Sequence, residues 1–187
     1  MTPRIGPAPD AVSWVTAECE EQMSDEDLKK IVGKPTSKAT VVVERSAVTN
    51  FATAVCDDNP VYRDARAAAE AGFPAIPAPP TFAFVMTNWG QFPEVQPDDV
   101  PSGNAMGEVI GPLMAKGGLI LHGEQSFEYH RPVFVGDVLV GEGKVVDAYT
   151  KESKGKTMTF VVTETAWKDE KTGEPVVTTR FNVIHRL

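Results

Sequence analysis

TFAFVMTNW, residues 81–89, is apolar on nearly every side and follows directly on Pro79 and Pro80. It lacks the strict alternation of apolar and polar residues that marks a half-buried strand. Paired prolines preset the backbone angle of a first helical turn, where a missing N–H costs nothing. The stretch therefore reads as a helix buried all round, the central core helix of the molecule. The rest of the chain has to supply the layer that covers it.

Upstream, SDEDLKKIVGK (24–34) offers Ser24 as an N-cap, acids in the first turn, late lysines and Gly33 as a stop, which predicts a short surface helix. ATVVVERSAV (39–48) predicts a β-branched strand over 39–44, after which Ser46 caps a helix with Val48, Phe51, Ala52 and Val55 at helical spacing. CDDNPVYRDA (56–65) then lies at that helix's end, entering a turn, and Asp64 caps the alanine-rich run 65–71 that Gly72 closes. Residues 1–23 read as an extension rich in proline and acids.

Downstream, residues 90–117 are rich in Gly, Pro and acids, with at most a turn of helix in NAMGEVIGPL (104–113). A loop this long inside a compact domain is usually functional or mobile. Four strand-like runs follow, at 117–131, 137–150, 156–169 and 174–186, separated by turn chemistry such as Val-Gly-Asp and Lys-Thr-Gly. They are expected to pair as an antiparallel meander. Helices segregated in sequence from a meander make an α+β domain, since they cannot form the crossovers of a parallel sheet. A curved sheet of about five strands wrapped around the 81–89 helix hides that helix most simply, and this is a hotdog fold.

Length and composition agree with one such domain over 24–187. The chain has 187 residues, 42% of them hydrophobic, enough for one well-packed core but not two. A net charge of -8 with scattered Lys and Arg argues against a nucleic-acid partner. No apolar run has the length of a signal peptide core or a membrane span, so the expected location is the cytoplasm, with no membrane partner. Cys19 and Cys56 are too few and too far apart for a zinc framework. The three histidines, His122, His130 and His185, lack the spacing of a helical metal pair, so no metal is expected.

FATAVCDDNPVYRDARAAAEAGFPAIPAPPTFAF (51–84), together with FEYHRPVFVGD (127–137), resembles the MaoC-like hydratases and dehydratases of the hotdog superfamily. The resemblance spans roughly residues 28–187. It implies action on acyl thioesters, adding water to a trans-2-enoyl chain or removing it from a (3R)-hydroxyacyl chain, with no cofactor. The family's motif runs Gly-Asp, any residue, Asn-Pro-Leu-His. It places Cys56 at the Gly, Asp57 at the catalytic Asp, Asn59 and Pro60 at the Asn-Pro, Val61 at the Leu and Tyr62 at the catalytic His. In the family, Asp and His share the water that is added or removed. Such chemistry needs a group titrating near neutrality, and tyrosine, with an ordinary pKa near 10, is a poor replacement base.

A second departure lies before the core helix, where the family's Ala-His-Gly run donates a backbone N–H to the thioester oxygen. Here the run is Ala78, Pro79 and Pro80, and proline has no N–H to give. If the alignment slips by one residue, Thr81 supplies it. Both losses resemble the noncatalytic partner of a two-hotdog assembly, so the chain reads as a substrate-binding subunit beside a His-containing hotdog. Hotdogs pair edge to edge, and the sequence leaves open a hetero- or homodimer, and CoA or acyl carrier protein as thioester carrier. A self-sufficient homodimeric hydratase, a noncatalytic thioester-binding or regulatory module and, less well, a thioesterase are the alternatives.

Further candidates come with simpler readings. His122 and Glu124, two apart in LILHGEQSF, are expected on one strand face, either assisting water handling at a partner interface or forming a satisfied polar patch. His130, Arg131 and Asp137 are expected to fix a turn. Asp57 and Asn59 equally suit a braced turn. Met106 and Met114, in the 90–117 segment, would line a space for the acyl chain.

Overall fold

The computed structural model describes residues 24–101 and 103–186. The expected 1–23 extension, with Cys19, lies outside the described residues. Among the described residues, five α-helices and five strands follow in order: α1 (Asp25–Lys29), β1 (Pro35–Val42), α2 (Arg45–Ala54), α3 (Ala65–Glu70), α4 (Met86–Gly90), α5 (Ala105–Ala115), β2 (Leu119–Tyr129), β3 (Val138–Ser153), β4 (Lys156–Asp169) and β5 (Pro175–Arg186). The strands form one antiparallel sheet in the order β1-β3-β4-β5-β2. The α+β hotdog architecture is thus present, with the helices gathered on one face.

The meander is shorter than the sequence suggested. β3, β4 and β5 are joined by tight turns at Lys154-Gly155 and Gly173, but β2 pairs with β5 and not with β3. The reason is the connection 130–137, which does not turn back as a hairpin. His130 and Arg131 donate backbone N–H groups to the Val176 carbonyl, Phe134 bridges to Pro77, and Val135 donates to the Ile76 carbonyl. That run carries the chain away from β2 to start β3 beside β1. Arg131 holds it with a bidentate pair to Asp137 (2.7 and 3.3 Å) and a further bond to Asp169, and Asp137 also accepts the Phe134 N–H. His130 reaches Thr178 at 3.3 Å. Arg131 and Asp137 thus brace the connection from within, and His130 ties its start to β5.

The stretch 81–89 is not one helix buried all round. It forms a 3-10 turn at Phe82–Phe84 and then α4, two short pieces that meet at Val85. Pro93 stops any continuation by holding Phe92 extended (ψ 136°). Phe82, Ala83 and Met86 are buried, while Phe84 and Trp89 are 42% and 43% exposed. The buried side joins α2 through ring contacts of Phe51 with Phe82 and Trp89 (5.6 and 6.3 Å). With Val41, Leu139, Trp167 and Val177 from the sheet, Phe51, Phe82, Ala83 and Met86 make the main core.

α5 is the larger departure, because residues 90–117 are not a structureless loop. Asn104 caps α5 by accepting from Met106 and Gly107, and Ala105, Val109 and Leu113 recur every four residues on its buried side. That side packs with Leu28 and Ile31 against Val145, Ala148 and Val161, a second core beside the first. Smaller shifts are local: β1 begins at Pro35, and α2 starts behind Glu44 without a side-chain cap, not behind Ser46. Ser24 and Asp64 cap α1 and α3 as expected.

Candidate functional site

The residues at the family motif sit where α2 ends. α2 stops at Ala54, and Cys56 turns the chain with φ +57°, a left-handed angle that glycine takes freely and other residues take at a cost. The resemblance places the motif's Gly at this position, and a left-handed angle is one that glycine serves best. Asp57 Oδ1 then accepts the Asn59 N–H (3.0 Å), and Asn59 Oδ1 accepts the Val61 N–H (3.2 Å). Both side chains brace the turn, and Pro60–Tyr62 closes it as a 3-10 turn.

Asp57 and Tyr62 remain close enough to interact. Burial, with a smaller contribution from the Asp57 charge, raises the Tyr62 pKa above its ordinary value. Tyr62 therefore stays a neutral phenol near neutrality, able to donate a hydrogen bond but not to take a proton. Among the described residues, neither the Tyr62 hydroxyl nor Asp57 Oδ2 has a side-chain or backbone hydrogen-bond partner. The pair offers one acceptor and one donor, but no base of the right strength.

The second part of the site is the approach to α4. Ala78 donates its N–H to Val133, Phe82 donates to Pro79, and the Pro80 carbonyl accepts from the Tyr129 hydroxyl. Pro80 thus anchors the loop to β2 and has no N–H to offer. Thr81 is exposed, and among the described residues nothing accepts its N–H. Of the two positions, Thr81 is the one with a donor free. Burial pushes the Tyr129 hydroxyl up to about 12, so it holds its proton against the Pro80 carbonyl. Tyr129 escaped the sequence reading. Its one signal was the two-residue spacing from Phe127, which places both rings on the core side of β2.

The structure separates His122 from Glu124. Between His122 and Gln125 the register slips, so that His122 faces Val183 and Gln125 faces Phe181, three residues of β2 spanning two of β5. This bulge undoes the two-residue alternation that would have put both on one face. The His122 ring lies against Phe181 (4.6 Å) and Phe84 (5.2 Å), beside the Thr81 loop. Glu124 lies on the opposite face, in a groove shared with Asp147, Tyr149, Arg180 and Asn182. Met106 is also apart: it packs on the second core, next to Ala105 and Val109, while Met114 is exposed. The structure therefore gathers Asp57, Asn59 and Tyr62 at one turn, and Pro80, Thr81, Phe84 and His122 at another.

Known proteins share this arrangement of elements. Residues 30–179 match the family described as FAS1-like, dehydratase domain region. A UPF0336 protein of Thermobifida fusca is 33% identical over 136 residues, 73% of this chain and 78% of that one. A chain of the ChsH1-ChsH2 complex from Mycobacterium tuberculosis has a similar fold, with a TM-score of 0.66 at 22% identity over 86% of this chain and 89% of that one. A chain of the C-terminally truncated HadBC (3R-hydroxyacyl-ACP dehydratase) complex from the same organism gives 0.60 at 22% identity, over 82% and 96%. At such identity the two structures speak for the fold alone. The family match covers most of the hotdog, including both halves of the candidate site, and on that ground the chain belongs to the FAS1-like dehydratase domain family of MaoC-like hotdog proteins.

Proposed function

We propose that this chain is the substrate-binding subunit of an (R)-specific enoyl-thioester hydratase or (3R)-hydroxyacyl-thioester dehydratase. It shapes the acyl channel while a His-containing partner hotdog supplies most of the chemistry. The observation that carries this reading is Tyr62: a phenol whose pKa is raised by burial and by the Asp57 charge stands where the family resemblance would put the imidazole. A missing general acid-base group costs about a hundredfold to ten-thousandfold in rate. The Thr81 N–H is a donor suited to the thioester oxygen, although α4 is too short to add much dipole to it.

The open edge of the sheet supports a partner. Among the described residues no strand pairs with the outer side of β2, and Leu119, Ile120 and Leu121 are 62%, 40% and 38% exposed. Burying such a strand against a second sheet satisfies its backbone and covers the apolar side chains. The two similar solved structures are complexes of two named components, which favours a hetero-pair over two copies of this chain.

Crotonyl-CoA hydration, followed by absorbance, tests the proposal with the pure chain and then with a co-expressed His-containing MaoC-like subunit. The expected result is negligible turnover alone and at least a hundredfold more with the partner. Brisk turnover by the pure chain that is lost in Tyr62→Phe overturns it in favour of a self-sufficient homodimer. Acyl-thioester binding without turnover in either setting favours a noncatalytic module.

A further inference from the structure

The sheet has two outer strands, and they are treated differently. Along β1 the segment 90–99 runs in the opposite direction and touches the strand at successive points. Gly90 lies so close that a Cβ there would come 2.4 Å from the Val42 carbonyl oxygen and 2.6 Å from the Val41 side chain. Further along, the Gln96 amide takes both backbone groups of Thr40: Oε1 accepts the Thr40 N–H (3.1 Å) and Nε2 donates to the Thr40 carbonyl (2.9 Å). Nε2 also donates to the Phe92 carbonyl (2.9 Å), which fixes the amide from behind. Beyond it, Asp99 pairs with Lys38 (2.6 Å), which also reaches Glu142 on β3 (3.3 Å).

The contacts order themselves as an antiparallel strand would, with Val42, Thr40 and Lys38 meeting Gly90, Gln96 and Asp99. In an antiparallel pair, a residue exchanges both its N–H and its carbonyl with the neighbouring strand. Gln96 performs that exchange with a side chain, and Thr40 is left 3% exposed. At Thr40 the outward groups are already taken, and Gly90 and Asp99 hold the segment against Val42 and Lys38 on either side, so an incoming strand is blocked from the ladder there. β2 has no such cover among the described residues.

We propose that residues 90–99 guard the β1 edge, confining edge-to-edge association to β2 so that assembly stops at two sheets. Pairing through β2 turns both β1 edges outward. Were these open, each pair would join the next and growth would have no natural end. The occupant that the guard excludes is the β1 strand of a second copy, which would meet it antiparallel across a two-fold axis. The limit of two sheets rests on the reading of β2 as the pairing edge, but the guarding of β1 does not.

Sedimentation velocity over a concentration series, on the full chain carrying Gln96→Ala with Asp99→Ala, tests this alongside hydrogen exchange at the Thr40 amide. The expected result is a weight-average mass that at least doubles relative to the unchanged chain, with Thr40 protection lost at the lowest concentrations and regained as the mass rises, because an incoming strand takes the groups that Gln96 released. The same rise is expected in a Leu121→Lys background, where a charge on β2 impedes pairing there. If the double variant does not fold, Gln96→Glu replaces it: it keeps an acceptor for the Thr40 N–H but sets a carboxylate oxygen against two carbonyls, and the mass is again expected to rise. An unchanged mass with Thr40 deprotected overturns the proposal, as does a Thr40 amide that stays protected without Gln96 at concentrations where the mass is unchanged. A chain that sediments as a single hotdog until the guard is removed upholds the guard and refutes pairing through β2.

Discussion

Cys56 holds a left-handed backbone angle that glycine would take more freely. Its φ of +57° costs a non-glycine residue about 1–2 kcal/mol, and glycine gives back about 0.5–1 of that in lost chain entropy. Cys56→Gly is expected to stabilise the fold by up to about 1 kcal/mol in urea denaturation, and Cys56→Val, β-branched at a left-handed position, to destabilise it by about 1–2 kcal/mol. The sequence disclosed the residue types of this turn but not its backbone angle, since nothing in the letters tells a strained cysteine from a relaxed one. Tyr129 gives the second expectation at this scale. Its pKa rises from 10.0 to about 12, so as pH climbs through that window the unfolded chain gives up a proton that the native chain retains. Stability is fully present below pH 10 and falls between there and about 12, with Tyr62 adding a loss of the same sign. Tyr129→Phe should flatten alkaline unfolding followed by circular dichroism, while costing about 1 kcal/mol at neutral pH for the bond to Pro80.

Among the elements, α4 is legible for the wrong reason and α5 is illegible for a clear one. The apolar run 81–89 did announce a core segment, but its hydrophobicity serves two environments: Phe82 and Met86 face the core, and Phe84 covers His122 and Phe181 at the sheet. A uniform apolar run does not distinguish these. α5 carries Gly107, Gly111 and Pro112, each unfavourable in a helix interior, so local preference points away from the helix that packing imposes. The burial of Ala105, Val109 and Leu113 outweighs those local costs. Close packing at the end of α4 yields a further expectation. Gly90→Ala places a methyl group against the Val42 carbonyl and Val41, forcing the helix off β1, and should lower stability by about 1–3 kcal/mol in chemical denaturation.

For the whole molecule, the hotdog class followed from the segregation of helices and strands, but the strand order did not. Period-two patterns say that a strand has an inner face and are silent about its neighbour. Only the backbone bonds of 130–137 decide that β2 joins β5. The division of the candidate site was likewise hidden, because a single bulged residue between His122 and Gln125 sends Glu124 to the other face. At this scale the replacement Tyr62→Phe should leave the rate of the proposed two-subunit assembly within about twofold, since the phenol is no base with or without the partner. Steady-state hydration rates with the partner present check this.

The pairing of β2 with β5 also bears on biosynthesis. Leu119 lies opposite Arg186, so β2 is translated well before the strand it needs, with β3 and β4 made in between. At ordinary elongation rates the nascent chain spends a few seconds with an apolar strand that has nothing to zip against. During that interval Leu119–Leu121 is a natural foothold for ribosome-associated chaperones, and slower translation of the β4–β5 region lengthens the period at risk of aggregation.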